Sequence, residues 1–467
     1  MSRTEVTVGL DIGTSSVKAV AADHDGNVVA TARVPHEVGV PSAGRFEHDA
    51  EVAWRRGPRE AYAAVSTDLE VLGVSVAAMV PSLGAVDADG IAITPGLLYG
   101  DERGRAGGGR ERADGSPAES GELLGFLRWC AAEAPDAAGY WPAQAVANHA
   151  LCGEGVLDTA TAASTNPLFD WTGWDADVAA AAGARTEQFP RLVPTGWEAG
   201  RIDGVGPPLA SGCVDALAEQ LVAGADHAGD VLVILGTTLI VWAVVDQPAD
   251  GDPEVAVPGF WTIPHTAAGK LMVGGPSNAG GLFCNWATGL LGEPTAQPEP
   301  GRVPVWAPYP RGERTPFHDP DRRASLVDLD LTHDAASVRR AAFEASGFVV
   351  RRVIETVRAH VDFSPRRLVV SGGGNRVDEW LQAVADATQV PIECVAVPEG
   401  GALGSAWLAR IAAGLEEPIA MTEGRRWARV GRTIEADPAW VGPTEERYRR
   451  FLDVGGDAPG SADASSA

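Results

Sequence analysis

The chain has 467 residues and a formal net charge of -26 at pH 7, with 45% hydrophobic and 21% charged residues. This length favours two domains of roughly 200 residues or more over a single core. The acidic balance argues against nucleic acid or an anionic membrane as a partner, because both require a basic surface. Five scattered cysteines without metal-ligand spacing, and the absence of a long apolar run, predict a reduced protein of the cytoplasm.

The chain opens with a predicted β-hairpin that has a polar tip. Apolar residues alternate in segment 6–10, segment 11–16 reads DIGTSS, and residues 17–21 return as a second strand. Such a tip presents backbone N–H groups and hydroxyls to an anion, while Lys18 adds positive charge and Asp11 can hold a divalent cation through water. These features suit a nucleotide phosphate, and an ordinary edge hairpin is the alternative.

The predicted elements that follow mix helices with short strands. They are a helix at 50–65, a strand at 71–79, a polar glycine-rich loop at 106–120, and helices at 123–134, 143–151 and about 175–182. A strand then runs into glycine, and Asp215 stands at the start of a predicted helix over 216–223. Capping the helix is the commonest use of an aspartate at such a place.

Segment 230–245 repeats the pattern of the opening hairpin, with an apolar strand, a Gly-Thr-Thr tip and a second apolar strand. The two hairpins lie about 220 residues apart, and such a repeat implies two halves built alike. The repeat therefore predicts two polar tips that face each other across a cleft.

Glycine-rich turns precede helices in the second half of the chain. The elements predicted there are a turn at 274–281 with a helix near 282–288, a strand at 303–310, a loop at 311–316, a long helix at 335–361, a strand with a glycine turn at 367–376, a helix at about 378–388, and a last glycine turn at 400–404 before a helix that ends at 413. Residues 455–467 are small and polar, which predicts a disordered tail.

Taken in chain order, the two tips, the Gly-Cys-Val-Asp element at 212–215 and the Gly-Gly-Gly-Asn element at 372–375 resemble the FGGY carbohydrate kinases. These kinases belong to the actin, hexokinase and heat-shock chaperone superfamily, and the resemblance covers residues 6–413. It implies an α/β fold of two ribonuclease-H-like (actin-like ATPase) domains around a central cleft. The implied parts are 1–228, with the sugar-binding elements and the first phosphate hairpin, 229–454, with the second hairpin and the adenosine-binding element, and the tail at 455–467.

The resemblance also implies a role for each residue that matches a family motif. Asp11 helps to hold Mg²⁺, and Asp215 is the general base, a role that is compatible with capping the helix. The residues expected at the ATP phosphates are Gly13, Thr14, Ser15, Lys18, Gly236, Thr237 and Thr238. Those expected in the adenosine pocket are Gly373, Gly374, Asn375, Gly401 and Ala402.

The sugar side departs from the xylulokinase-like members of the family. Val80 and Pro81, which follow Met79, stand where those proteins carry a Met-His pair. Asp101 and Arg103 are kept from their Trp-Asn-Asp-x-Arg element, and an aspartate there would orient a pair of sugar hydroxyls. A solvated surface loop is the alternative for this pair. Together with Asp215, these five residues are the predicted sugar contacts.

The resemblance implies an ATP- and Mg²⁺-dependent kinase that phosphorylates a hydroxyl of a ketose, polyol or sugar acid, with D-xylulose as the first expectation. The protein would align the hydroxyl with the γ-phosphate, spread charge onto metal and N–H donors, and accept the hydroxyl proton. The alternative is a non-catalytic ATP-binding regulatory protein, which would be expected to lose Asp11 or Asp215. A chaperone would need a peptide-binding domain, and a Rossmann dehydrogenase would need G-x-G-x-x-G after the first strand. Family members are often homodimers, so a homodimer is a further expectation.

Overall fold

The computed structural model describes residues 3–108, 110–111, 117–119, 121–170, 172–248, 255–267, 269–290, 294, 296–397, 399–417 and 426–456. The chain folds into two compact units. Unit 1 comprises Met1–Arg110, Ala118–Val222 and Glu399–Trp427, and unit 2 comprises Glu111–Pro117, Ala223–Pro398 and Ala428–Ala467. Of the predicted tail, residues 457–467 lie outside the described residues.

Strands and helices alternate through the described chain. The strands are β1 (Glu5–Ile12), β2 (Ser16–Ala22), β3 (Val28–Pro35), β4 (Glu47–His48), β5 (Glu70–Ala78), β6 (Ser82–Val86), β7 (Gly96–Leu98), β8 (Arg110–Glu111), β9 (Pro117–Glu119), β10 (Gly139–Trp141), β11 (Val156–Asp158), β12 (Arg191–Val193), β13 (Glu198–Arg201), β14 (Pro208–Ala210), β15 (Cys213–Val214), β16 (Asp230–Leu235), β17 (Leu239–Asp246), β18 (Trp261–Pro264), β19 (Lys270–Ser277), β20 (Val305–Ala307), β21 (Ser325–Val327), β22 (Arg367–Ser371), β23 (Ile392–Val395) and β24 (Val430–Ile434). The α-helices are α1 (Gly57–Ser66), α2 (Glu122–Glu133), α3 (Ala143–Cys152), α4 (Thr159–Ala163), α5 (Ala176–Ala181), α6 (Asp215–Ala223), α7 (Gly281–Gly289), α8 (Ala335–His360), α9 (Asp378–Thr388), α10 (Gly400–Ala412) and α11 (Pro438–Gly455). Tighter 3₁₀ turns span Glu102–Gly107, Thr186–Gln188, Ile202–Gly204 and Gly373–Arg376, and a wider π-helical turn spans Glu51–Arg56.

The central sheet of unit 1 is organised around β1. This strand lies between β2, which is antiparallel to it, and β5, which is parallel to it, in the order β13-β14-β5-β1-β2-β3. The short strand β15 also pairs with β5, in parallel. Seven of the eight residues of β1 are buried, as expected for a strand covered on both faces, whereas every second residue of β3 is exposed.

The central sheet of unit 2 repeats this arrangement. Its order is β18-β19-β17-β16-β22-β23-β24, and β16 is antiparallel to β17 and parallel to β22. Each unit thus contains a hairpin whose first strand has a parallel neighbour on its other side. The internal repeat predicted from the two hairpin sequences is confirmed.

Glycines let α10 lie directly on the central sheet of unit 1. A Cβ atom at Gly9 of β1 would stand 1.9 Å from the Ala402 oxygen, and one at Gly73 of β5 would stand 2.5 Å from the Ala409 oxygen. No larger residue fits at either place unless the backbone moves. This packing places Glu399–Trp427 in unit 1, which differs from the predicted division after residue 228.

Each unit has its own apolar core. In unit 1, side chains of β1, β5 and α3 pack around Trp54, which is fully buried. In unit 2, the strands β16, β17 and β19 pack against α8 and α9. Burial of apolar surface is the dominant favourable term in folding, so each sheet has a core to hold its strand ends in place.

All five cysteines are unpaired, and four of them are buried. Burial raises the pKa of Cys130 to about 12, so this thiol stays protonated at neutral pH.

Among the helices of the described ranges, none has both the length and the apolar character that crossing a bilayer requires.

Candidate active site

Three parallel strands of unit 1 end side by side, and each is followed by predicted site residues. The register pairs Ile12 of β1 with Ala78 of β5, and Ala78 with Val214 of β15. The carboxyl ends of parallel strands share one edge of a sheet, and open α/β sheets place their ligands beyond that edge. The structure therefore brings together the first tip after β1, segment 79–81 after β5 and Asp215 after β15.

Asp215 is placed by a tight turn before α6. Gly212 in this turn has φ +90°, and a Cβ atom there would stand 2.1 Å from the Val76 oxygen. Only glycine fits this conformation and this approach without strain. Gln144 Nε2 then donates to the Ser211 oxygen at 2.7 Å, which fixes the turn from the side of α3.

The carboxylate of Asp215 lies at the first residue of α6 and is half-buried. Its Oδ1 accepts a hydrogen bond from the Ala216 N–H at 2.7 Å. A negative charge is favoured at a helix start because the helix dipole is positive there. This geometry is compatible with a cap and with a general base.

Asp11 and Lys18 form an ion pair across the β1–β2 hairpin. Lys18 Nζ lies 3.5 Å from Asp11 Oδ2, and the register places the two residues opposite each other. The negative charge of Asp11 raises the pKa of Lys18, although burial acts against it. A Cβ atom at Gly401 would stand 3.0 Å from Asp11 Oδ2, so glycine allows the start of α10 to lie against this carboxylate.

Glu219 is a buried carboxylate near Asp11 and Asp215. It was not among the site residues predicted from the sequence. It follows Asp215 by one helical turn, so the two side chains share a face of α6. It is 8% exposed, and a Cβ atom at Gly400 would stand 2.7 Å from its Oε1. Burial raises the pKa of Glu219 to about 8, helped by the charges of Asp11 and Asp215 and opposed by that of Lys18. The available signal was an acidic residue four positions after Asp215, in a helix whose other residues apart from Gln220 are apolar.

Replacing Glu219 with glutamine should raise thermal stability at pH 8 and change it little at pH 5. The folded protein binds the proton of Glu219 up to about pH 8, whereas the unfolded chain releases it near the ordinary pKa of 4.5. The contribution of Glu219 to the free energy of unfolding is therefore fully present below pH 4.5 and is lost as the pH rises to about 8. Glutamine does not titrate. In a pH series, the unfolding temperature of the variant should therefore exceed that of the wild type by an amount that grows between pH 4.5 and about pH 8.

The matched control for that series is Glu187→Gln, which removes the same charge from an exposed position in unit 1. It should follow the wild-type curve at every pH. A Glu219→Gln curve that runs parallel to the wild type across the whole series would contradict the buried, protonated state of Glu219.

The first tip is a closed turn at the end of β1. The Gly13 N–H donates to the Ser16 oxygen at 3.1 Å, which closes the loop that contains Thr14 and Ser15. The Thr14 hydroxyl lies 2.8 Å from the Tyr99 hydroxyl. All the residues predicted at this tip are therefore adjacent to the Asp11–Lys18 pair.

Asp101 and Arg103 are bound to each other rather than directed outward. Asp101 Oδ1 accepts from Arg103 Nε at 2.8 Å, Oδ2 accepts from Arg103 Nη2 at 2.7 Å, and the Phe46 N–H donates to Oδ2 at 2.6 Å. Arg103 Nη2 also lies 2.8 Å from Glu47 Oε2. Burial opposes ionisation of Asp101, but these hydrogen bonds outweigh it and lower its pKa. The pair is buried and shapes the loop, whereas Met79 is buried and Val80 and Pro81 are half-buried at the strand end.

The second tip, in unit 2, is held by the start of α7. The Gly281 N–H donates to the Gly236 oxygen at 2.8 Å, and the Leu282 N–H donates to the Thr237 oxygen at 3.0 Å. A Cβ atom at Gly280 would stand 2.3 Å from the backbone of Thr238, so glycine is required for this contact.

The glycine turn after β22 lies at the same sheet edge as the second tip. The register pairs Ile234 of β16 with Ser371 of β22. Gly373 and Gly374 therefore follow β22 at the end of the sheet where the second tip follows β16. Asn375 Nδ2 donates to the Val395 oxygen at 2.8 Å. A Cβ atom at Gly373 would meet nothing within 4 Å, so this turn leaves open space next to its backbone.

The predicted adenosine residues belong to two different units. Gly373, Gly374 and Asn375 lie in unit 2, whereas Gly401 and Ala402 lie in unit 1, in the first turn of α10. The contacts of Gly401 with Asp11 and of Ala402 with Gly9 are packing contacts of that helix start.

Glu313 is a second buried carboxylate that the sequence analysis missed. Its Oε2 accepts from Ser277 Oγ at 2.9 Å, and its Oε1 accepts from the Asn278 N–H at 2.9 Å. Burial raises the pKa of Glu313 to about 7, although these hydrogen bonds act against it. Glu313 therefore ties loop 311–316 to Ser277 and Asn278, which precede α7, the helix whose first residues bind the second tip.

Comparison with known proteins covers nearly the whole chain. The family model of the FGGY family of carbohydrate kinases, N-terminal domain, matches residues 6–206, and the model of the C-terminal domain matches residues 231–413. A gluconokinase of Bacillus subtilis is 23% identical over 465 residues, covering 88% of this chain and 88% of the relative. A xylulose kinase of Streptomyces coelicolor is 28% identical over 449 residues, covering 90% of each.

Solved structures show the same fold. The xylulose kinase of Rhodospirillum rubrum matches with a TM-score of 0.75 at 25% identity, over 96% of this chain and 98% of that chain. The gluconate kinase of Lactobacillus acidophilus matches with a TM-score of 0.78 at 20% identity, over 96% of this chain and 97% of that chain. The predicted α/β fold of two actin-like ATPase domains is confirmed. The chain therefore belongs to the FGGY family of carbohydrate kinases, which are phosphotransferases with an alcohol group as acceptor.

Proposed function

We propose that the chain transfers the γ-phosphoryl group of ATP to a hydroxyl of a ketose, polyol or sugar acid, with Asp215 as the general base. The aligned ends of β1, β5 and β15 carry this proposal, because they set a phosphate-type tip, an aspartate and segment 79–81 beside one another. Phosphoryl transfer needs an oriented acceptor, donors for the phosphate charge and one base, and little covalent help from the protein.

Each group at this edge has a part in the proposed reaction. Asp215 accepts the proton of the acceptor hydroxyl. The oxygen of that hydroxyl bonds to the γ-phosphorus of ATP, while the bond from this phosphorus to the leaving phosphate oxygen breaks. Lys18 and the N–H groups of the first tip stabilise the charge on the transferring group. In unit 2, the proposed nucleotide-binding elements are the second tip and the turn at 373–375.

The residues at the end of β1 fit a Mg²⁺ ion. Proteins commonly hold this ion with one or two carboxylates together with substrate phosphates and water. Asp11 supplies a buried carboxylate next to the first tip, and Lys18 at 3.5 Å indicates that this carboxylate attracts a cation. When bound, Mg²⁺ neutralises charge on the phosphates of ATP.

D-xylulose is the first candidate for the sugar, and D-gluconate is its main competitor. Relatives with similar identity carry the names xylulose kinase and gluconokinase, and the two sugars differ in charge. Arg103, the one cation among the predicted sugar contacts, is already paired with Asp101 and Glu47. A sugar carboxylate would compete with two protein carboxylates for it, which favours the uncharged ketose.

The test is ADP release from ATP and Mg²⁺ against a panel of pentuloses, hexuloses, polyols and aldonic acids. We expect D-xylulose to give the strongest sugar-dependent release. An aldonic acid as the strongest responder would overturn the choice of a ketose and keep the reaction. Bound ATP without sugar-dependent release from any member of the panel would contradict the proposed substrates as a class.

A further inference from the structure

Two histidines lie against the backbone of the first tip. His36 Nε2 is 3.0 Å from the Gly13 oxygen, and His48 Nε2 is 2.8 Å from the Thr14 oxygen. The backbone N–H of His36 donates to the Ser15 oxygen at 3.0 Å. Three consecutive carbonyls of the tip are therefore bonded to two residues that lie 12 positions apart in the sequence.

The hydrogen bonds around His48 determine its tautomer. Trp54 Nε1 can only donate, and it lies 3.0 Å from His48 Nδ1, so Nδ1 must accept. The proton of the neutral ring is then on Nε2, which donates to the Thr14 oxygen. Burial lowers the pKa of His48 to about 4, so the neutral ring is the form present at neutral pH.

Holding the carbonyls on one side directs the amides to the other. The peptide bonds within the tip are trans, since the cis bonds of the described chain all lie elsewhere. In a trans peptide the N–H points opposite to the C=O of the same unit. With the carbonyls of Gly13, Thr14 and Ser15 bonded toward the histidines, the N–H groups of Thr14, Ser15 and Ser16 point away from them.

The carbonyls of the second tip are also hydrogen-bonded, but by different donors. There, the N–H groups at the start of α7 bind the carbonyls of Gly236 and Thr237. The two tips repeat one pattern, and in each of them consecutive carbonyls are bound by donors of the same unit. Convergent N–H groups of this kind form an anion-binding concavity.

We propose that His36 and His48 are positioning residues for the first tip, whose Nε2–H donors hold the tip carbonyls so that the tip amides face a phosphate of ATP. This inference rests on the proposed function, because it assumes that the first tip binds phosphate. Trp54 and Tyr99 complete the support, through His48 Nδ1 and the Thr14 hydroxyl respectively.

The test compares His48→Gln with His48→Leu. The glutamine amide can donate to the Thr14 oxygen and accept from Trp54, whereas leucine fills similar space and can do neither. We expect His48→Leu to weaken ATP binding, measured by calorimetry with Mg²⁺ and no sugar, and to raise KM for ATP by about tenfold or more. His48→Gln should restore most of both values, and KM for the sugar should change by less than about twofold in either variant.

The control is His149→Leu, which removes a histidine of unit 1 that packs on Trp141 with ring centroids 5.4 Å apart and does not contact the tip. It should leave ATP binding unchanged. If His48→Leu fails to fold, His36→Leu takes its place with the same expected loss of ATP affinity.

Three results would overturn the inference. They are unchanged ATP affinity in His48→Leu, equal loss in the glutamine and leucine variants, and equal increases in KM for ATP and sugar. A wild-type protein that does not bind ATP would instead contradict the proposed function itself, so the two failures are distinguishable.

Discussion

Replacing Asp215 with asparagine should reduce sugar-dependent turnover by about 10²–10⁴-fold, the range that a general base supplies. Asparagine has the same size and keeps an oxygen that can accept from the Ala216 N–H, so the start of α6 should be preserved. It cannot take up the proton of the sugar hydroxyl. ATP binding should therefore stay near normal, and ADP release with and without sugar measures the loss.

This substitution also separates the two interpretations of Asp215. Asparagine caps helices about as well as aspartate, so a residue that acts only as a cap would tolerate the change. Asp175 provides the matched control, because it caps α5 in unit 1 by accepting from the Asp177 and Val178 N–H groups. Asp175→Asn should keep full activity. Sugar-dependent ADP release at the wild-type rate in Asp215→Asn would remove Asp215 from the role of base.

The two hairpins could be predicted because their signal is local. Alternating apolar residues on both sides of Gly-Thr-Ser or Gly-Thr-Thr specify strand, turn and strand within about 15 residues. Comparison of the two segments then revealed the repeat. The parallel neighbours β5 and β22 were also predicted as strands, but their alignment with β1 and β16 depends on pairing across long stretches of chain.

The support of the first tip could not be predicted from the sequence. His36 and His48 stand in segments without a regular pattern, and they reach Gly13 and Thr14 only through the fold of the intervening chain. A histidine by itself does not reveal what its ring nitrogens will meet. The donors at the second tip are main-chain groups of α7, which carry no sequence signature of their own.

The carboxylates show why residue type alone predicts a site incompletely. Asp101 has a suitable type for binding sugar hydroxyls, but its oxygens are filled by Arg103 and Phe46, partners that no pattern specifies. Glu219 could have been predicted from the sequence, because one turn of α6 separates it from Asp215. Its burial, however, depends on how closely α10 approaches, and that distance is set by Gly400 and Gly401.

The approach of α10 to α6 leads to the second large expected effect. A Cβ atom at Gly404 would stand 1.8 Å from the Ala218 oxygen and 2.5 Å from the Ala218 carbonyl carbon, so it would clash with the backbone. Gly404→Ala must therefore push α6 and α10 apart. We expect a loss of about 3 kcal/mol or more in the free energy of unfolding. Because α6 begins with Asp215, turnover should fall as well.

Thermal unfolding followed by circular dichroism measures this effect, with an expected fall in unfolding temperature of roughly 6–12 °C. Gly289→Ala is the matched control, since Gly289 also lies in a helix, α7, but a Cβ atom there would meet nothing within 4 Å. Alanine is the better helix former, so Gly289→Ala should leave stability unchanged or raise it by up to about 1 kcal/mol. A Gly404→Ala protein as stable as Gly289→Ala would mean that α6 and α10 are not in contact at Gly404, and the position assigned to Asp215 would be wrong as well.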